Sequence, residues 1–138
     1  MTEFISHSVE ETEKFAEEFG KRLKGTEAIA LYGGLGAGKT AFTRGLARGL
    51  DVEDNVSSPT FAIVNEYAGS VPLYHFDMYR IESWNDLYSI GFFDYIGNGV
   101  IVIEWSENIE GALDDDVIKV VIKKTDNENE RIFKIEGV

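Results

Sequence analysis

Residues Gly33-Gly34-Leu35-Gly36-Ala37-Gly38-Lys39-Thr40 fit the pattern G-x-x-x-x-G-K-[ST]. Few stretches of this length restrict a fold so strongly, because the pattern works only where a strand enters a glycine turn that opens a helix. Glycines let successive backbone N–H groups turn inward around an anion. The helix that follows aims its positive end at the same spot. Both flanks agree. Glu27-Ala28-Ile29-Ala30-Leu31-Tyr32 reads as a short, fully buried strand. Thr40 to Leu50 carries Phe42, Leu46, Ala47 and Leu50 at helical spacing. A turn that binds nothing has no need of Lys and Thr at these two places. The loop is therefore read as a phosphate cradle. Lys39 reaches the β- and γ-phosphates and the Thr40 hydroxyl ligates Mg²⁺. The backbone of Gly34, Leu35, Gly36, Ala37, Gly38 and Ala41 lines the nucleotide.

Before the loop, Thr2 to His7 reads as a short strand. Ser8 and Glu11 form a capping box, and Val9, Thr12, Phe15, Ala16, Phe19 and Leu23 fall on one helical face that Gly25 ends. The polar start of this helix, Ser8 and Thr12, either packs against the sheet or borders the nucleotide base. After the loop, Phe61 to Tyr67 and Val71 to Met78 flank a turn at Ala68-Gly69-Ser70 and read as an antiparallel hairpin. Ser83 caps a short helix, Trp84 to Ile90. Phe92, Phe93, Tyr95 and Ile96 are expected to pack in the core. Val100-Ile101-Val102-Ile103 is a strand buried on both faces. Ser106 to Leu113 carries no clear pattern, Asp114-Asp115-Asp116 reads as solvated, and Val117 to Lys124 with Arg131 to Ile135 forms a final hairpin.

A phosphate loop needs carboxylates for Mg²⁺ and for the attacking water. Asp77 closes Leu73-Tyr74-His75-Phe76, and Glu104 closes the run 100–103. In open α/β sheets ligands gather at the carboxyl ends of strands, so both acids are assigned to the metal and water site, with their separate roles open. Thr60 is a switch-like hydroxyl candidate near the γ-phosphate. His75 shares the face of Asp77 and either orients that acid or is an ordinary packed histidine. Arg80 is a phosphate contact or a solvated surface charge.

Charge and composition narrow the partners. The 138 residues, read as one domain, carry a net charge of −12. This argues against a chain that grips DNA or RNA by itself, since phosphate neutralisation needs Lys and Arg. No run approaches the roughly 20 apolar residues that span a bilayer, and the first residues lack the pattern of a secretory signal. The absence of cysteine removes thiolate chemistry and suits a cytoplasmic location.

The ordered set of the loop, Ser58-Pro59-Thr60-Phe61, Asn65-Glu66-Tyr67, His75-Phe76-Asp77-Met78-Tyr79-Arg80 and Glu104-Trp105 resembles the bacterial TsaE (YjeE) family over nearly the whole chain. The resemblance implies an α/β, P-loop NTPase-like three-layer fold, with central parallel strands and antiparallel hairpins at the edges. It also implies an ATPase that binds ATP/ADP and Mg²⁺ and supports synthesis of threonylcarbamoyladenosine in tRNA. Such a protein acts with the TsaD–TsaB heterodimer and meets tRNA only indirectly. Carried over, Lys39 binds phosphate, Thr40, Asp77 and Glu104 serve the metal and water, Thr60 belongs to the switch-like loop, and Trp105 lies beside the site or a partner surface. Two departures stand out: Gly34 replaces a common Asp, and no proline precedes the last hairpin near residues 113–116. Three other readings compete. Asp94-Tyr95-Ile96-Gly97 matches the D-x-x-G of GTPases, but Lys123-Lys124-Thr125-Asp126 lacks the residue that reads guanine. A small-molecule kinase would need a second substrate pocket. An assembly module would bind ATP without turning it over.

Overall fold

In a computed structural model, which describes residues 2–34, 38–53, 56, 64–113 and 115–137, the apolar runs become the parallel centre of a seven-stranded sheet. The strands are β1 (Thr2–Ser6), β2 (Ala28–Tyr32), β3 (Val64–Tyr67), β4 (Leu73–Asp77), β5 (Val100–Glu104), β6 (Ile118–Lys124) and β7 (Arg131–Glu136). Their order is β1-β7-β6-β2-β5-β4-β3. The four inner strands, β6, β2, β5 and β4, are parallel. Antiparallel pairs close both edges, β3 on β4 and β7 on β6, with β1 antiparallel to β7. All five residues of β5 are buried, as expected for a strand covered on both faces.

Helices cover the two faces. Helices α1 (Val9–Lys21) and α2 (Lys39–Gly49) lie on one. Their Ala16, Phe19, Phe42, Leu46 and Ala47 pack on Ile29, Leu31, Leu73, Val100, Val102 and Val120. Helices α3 (Trp84–Ser89) and α4 (Phe92–Tyr95), with a 3-10 segment at Ser106–Ala112, lie on the other. There Leu87, Phe92 and Ile109 pack on Phe76, Ile101 and Ile103. The alternation of side chains along each strand thus separates two cores. The last described part of the first hairpin begins at Val64, and the expected residues 61–63 of that strand lie outside the described residues. Of the run 92–96, Phe92 is buried in this second core and Phe93 and Tyr95 pack half-buried against it, as expected, whereas Ile96 is exposed.

Local chemistry sets the ends. The Ser8 hydroxyl accepts from the Glu11 N–H at 3.0 Å, and the Glu11 carboxylate accepts from the His7 N–H, also at 3.0 Å. This is a capping box shifted by one residue. At the entry to β2, burial pushes the Glu27 carboxyl upward. Hydrogen bonds from the backbone N–H groups of Lys24, Gly25 and Thr26 and from its own outweigh burial and hold it below the usual carboxylate range.

Helices α1 and α2 touch through glycine. A Cβ at Gly45 would lie 2.2 Å from the Glu13 carbonyl oxygen and 2.8 Å from the Ala16 Cβ. Neither can move without parting the helices. Gly45→Ala gains up to about 1 kcal/mol of helix propensity but overpacks the contact by roughly 1–3 kcal/mol. A net loss of about 1–2 kcal/mol is expected, read as a lower urea midpoint at unchanged m-value. Arg44 and Arg48 of α2 also pair with Glu13. Both guanidinium groups are about half exposed, so they add little.

Candidate nucleotide site

Strand β2 ends at Tyr32 and runs into Gly33 and Gly34, and α2 opens at Lys39. Leu35, Gly36 and Ala37 lie outside the described residues. Gly38 is the N-cap of α2 with φ 108° and contributes no side-chain cap. That left-handed conformation suits glycine, and it leaves the first-turn N–H groups to an anion instead of a capping side chain. Gly34 is different. It is exposed, and a Cβ there would meet nothing within 4 Å among the described residues.

The acids stand at the same end of the sheet, one strand apart. Asp77 and Glu104 are Cα partners at the carboxyl ends of β4 and β5. Strand β5 lies directly beside β2. Asp77 shares its face with Leu73, and Glu104 shares its face with Val100 and Val102. All three apolar residues belong to the core under α1 and α2, so both carboxylates lie on the side from which α2 delivers Lys39 and Thr40. Asp77 is half-buried and accepts from the Tyr79 N–H at 2.9 Å. Glu104 is only 6% exposed.

His75 serves the neighbouring acid, not the one on its own strand. Its Nε2 lies 2.8 Å from Glu104 Oε2, and the ring is fully buried. His75 is the Cα partner of Val102, so it reaches Glu104 diagonally across two strands, as long side chains on one face can. Its Nδ1 is buried and has no hydrogen-bond partner among the described residues. The contact with Glu104 is thus the polar anchor of the ring.

Trp105 follows Glu104 with φ 59° and ψ 41°. A bulky residue in the left-handed region costs of order 1–3 kcal/mol and persists only where its surroundings hold it. Two contacts do so. The buried Lys39 Nζ sits 4.8 Å from the Trp105 ring centroid, within cation–π range. The Tyr79 ring lies 4.9 Å from it on the described side chains. Tyr79 is a site residue that sequence reasoning passed over, although it stands inside the 75–80 block. Nearby, the Tyr32 hydroxyl donates to Glu110 and Lys119 Nζ donates to the same carboxylate, each at 3.0 Å. Burial, and then Glu110, pushes the Tyr32 hydroxyl well above the usual phenol range.

Other expected residues fall less centrally. Strand β1 runs parallel to β2, since it is antiparallel to β7 and β7 to β6. The start of α1 therefore lies at the same end of the sheet as Gly33 and Gly34. The Ser8 hydroxyl is spent on its cap, and the buried Thr12 hydroxyl bonds Ser6 Oγ at 2.7 Å. Both groups have structural work at that end. Ala41 is half-buried in the first turn of α2, Arg80 is exposed, and Thr60 lies outside the described residues. Asp94 sits exposed in α4, so the D-x-x-G match does not follow a strand.

The comparison with protein families decides the relationship. The family model described as threonylcarbamoyl adenosine biosynthesis protein TsaE matches residues 6–133. The chain belongs to the TsaE family. Among curated relatives it is 41% identical to the tRNA threonylcarbamoyladenosine biosynthesis protein TsaE of Bacillus subtilis, over 93% of this chain and 82% of that protein. It is 39% identical to the TsaE of Aquifex aeolicus, over 97% of each chain. The crystal structure of Bacillus subtilis YdiB superposes with a TM-score of 0.75 at 34% identity, covering 97% of this chain and 83% of that one. TsaE-family proteins are needed for tRNA threonylcarbamoyladenosine biosynthesis, and this chain takes its place among them. Its seven-stranded mixed sheet agrees with the YdiB fold. No described helix is long and apolar enough to cross a membrane.

Proposed function

We propose that this TsaE-family chain is a Mg²⁺-dependent ATPase that acts with the TsaD–TsaB heterodimer, and that tRNA is held by those partners. One observation carries the reading: Asp77 and Glu104 stand side by side at the strand ends, on the face from which α2 presents Lys39 and Thr40. The residues fit the groups they would hold. A hydroxyl and two carboxylates are hard oxygen donors of the kind Mg²⁺ takes beside phosphate, and the uncapped first turn behind Gly38 suits a phosphate. Mg²⁺ bound with ATP supplies neutralisation of charge on the β- and γ-phosphates.

The protein groups supply the rest. Lys39 brings a buried positive charge to the phosphates, already held against Trp105. Thr40 contributes the metal-ligating hydroxyl. Asp77 and Glu104 hold the metal and orient the attacking water, and His75 keeps Glu104 in place. The net charge of −12 supports leaving tRNA to more basic partners. Phosphate release from ATP should require Mg²⁺ and stop with a chelator. Equal release from GTP would favour the GTPase reading.

A further inference from the structure

The face opposite α1 and α2 carries aromatic side chains that the fold does not cover. Trp84 is 53% exposed and Tyr88 is 63% exposed. Phe93 joins them, its ring parallel to that of Trp84 at 6.3 Å and 5.0 Å from that of Tyr88. Scattered exposed apolar residues need no explanation, but three mutually packed aromatic rings at the surface do. Trp84 also forms one wall of a cleft of about 140 Å³ between α3 and the 3-10 segment, floored by Leu87 and Ile109. That volume is well below the roughly 300–1,000 Å³ of small-molecule sites. It suits one inserted side chain.

Charge says what kind of surface would bring that side chain. Residues 81–118 contain nine Asp or Glu and no Lys or Arg. Among them Glu82, Asp86 and Asp94 are exposed on the segments that carry the three rings. An aromatic platform for single-stranded nucleic acid needs a basic groove for the backbone, and here the surroundings have the opposite sign. Aromatic anchors in an acidic rim suit a protein that offers an apolar knob flanked by lysine or arginine.

The patch is also tied to the nucleotide site. Asn108 of the 3-10 segment, which lines the same cleft, donates to the Met78 carbonyl at 2.9 Å. Met78 directly follows Asp77, and Tyr79 packs on Trp105.

We propose that Trp84, Tyr88 and Phe93, with the cleft beside Trp84, form the docking surface for a partner protein that presents an apolar side chain ringed by basic residues. This rests on the reading that the chain works with TsaD–TsaB, so that heterodimer is the probe. Binding of the full chain to purified TsaD–TsaB would be measured by calorimetry for wild type, Trp84→Ala and Asp94→Lys. Trp84→Ala should weaken binding about tenfold or more, as truncation of an aromatic anchor does. Asp94→Lys should weaken it less and reduce its dependence on salt. ATP hydrolysis by the free chain and the thermal midpoint should stay unchanged in both. Wild-type binding with no loss in either variant would overturn the surface and leave the partnership standing. No wild-type binding would overturn the partnership and the occupant together. Tight tRNA binding by the free chain at moderate salt, lost in Trp84→Ala, would overturn the proposal in favour of nucleic acid.

Discussion

Lys39→Ala is expected to lower kcat/KM for ATP hydrolysis by at least about 100-fold, the scale of losing one preorganised charge at a phosphoryl-transfer site. Its ammonium is buried and rests on the Trp105 ring, so the truncation removes a charge already held in place. Thr40→Ala should cost a comparable factor, and more Mg²⁺ should recover part of it. Gly34→Asp is the contrasting case. The position is exposed, and a Cβ there meets nothing within 4 Å among the described residues. Its effect should stay within about twofold, as for surface changes that touch no special feature. Steady-state kinetics on the three variants checks the grading, and equal damage from all three would refute this account of the loop.

Glu104 offers the second large effect, because it separates chemistry from folding. Glu104→Gln keeps an oxygen that can accept from His75 Nε2, now 2.8 Å from the carboxylate, but removes the negative charge. It should fold with a near-native thermal midpoint and lose at least about 100-fold in turnover. Glu104→Ala removes the acceptor as well. The buried ring, whose Nδ1 already lacks a partner among the described residues, would then lose its anchor. An extra stability loss of about 1–3 kcal/mol is expected. Unchanged turnover in Glu104→Ala, with loss of binding to TsaD–TsaB, would favour a module that uses ATP only to control assembly.

Much of this site could be read from residue order. The strand, glycine loop and helix around Lys39 follow from local rules, and the apolar runs ending at Asp77 and Glu104 placed both acids at one sheet edge. What escaped depended on pairing between strands. His75 and Asp77 share a face by period two, so the sequence left His75 either to orient Asp77 or to pack as an ordinary histidine. The pairing of β4 with β5 instead brings Glu104 within reach of the ring. Trp105 was expected near the site only by resemblance. Its left-handed backbone, which turns the ring under Lys39, has no signature in the order of residues, since tryptophan is not chosen for that conformation. Of the 92–96 run, Phe92, Phe93 and Tyr95 do pack in or against the core, and only Ile96 stays exposed, because hydrophobicity alone does not say which side of a short helix faces inward. Thr60 stands outside the described residues and keeps its expectation from the sequence.

The most direct measurement is the rate of ATP hydrolysis by the purified chain with Mg²⁺, alone and with saturating TsaD–TsaB. The account predicts slow turnover alone and a large stimulation by the heterodimer, with both abolished by Lys39→Ala. Absence of hydrolysis under both conditions, or a rate that survives Lys39→Ala, would contradict it.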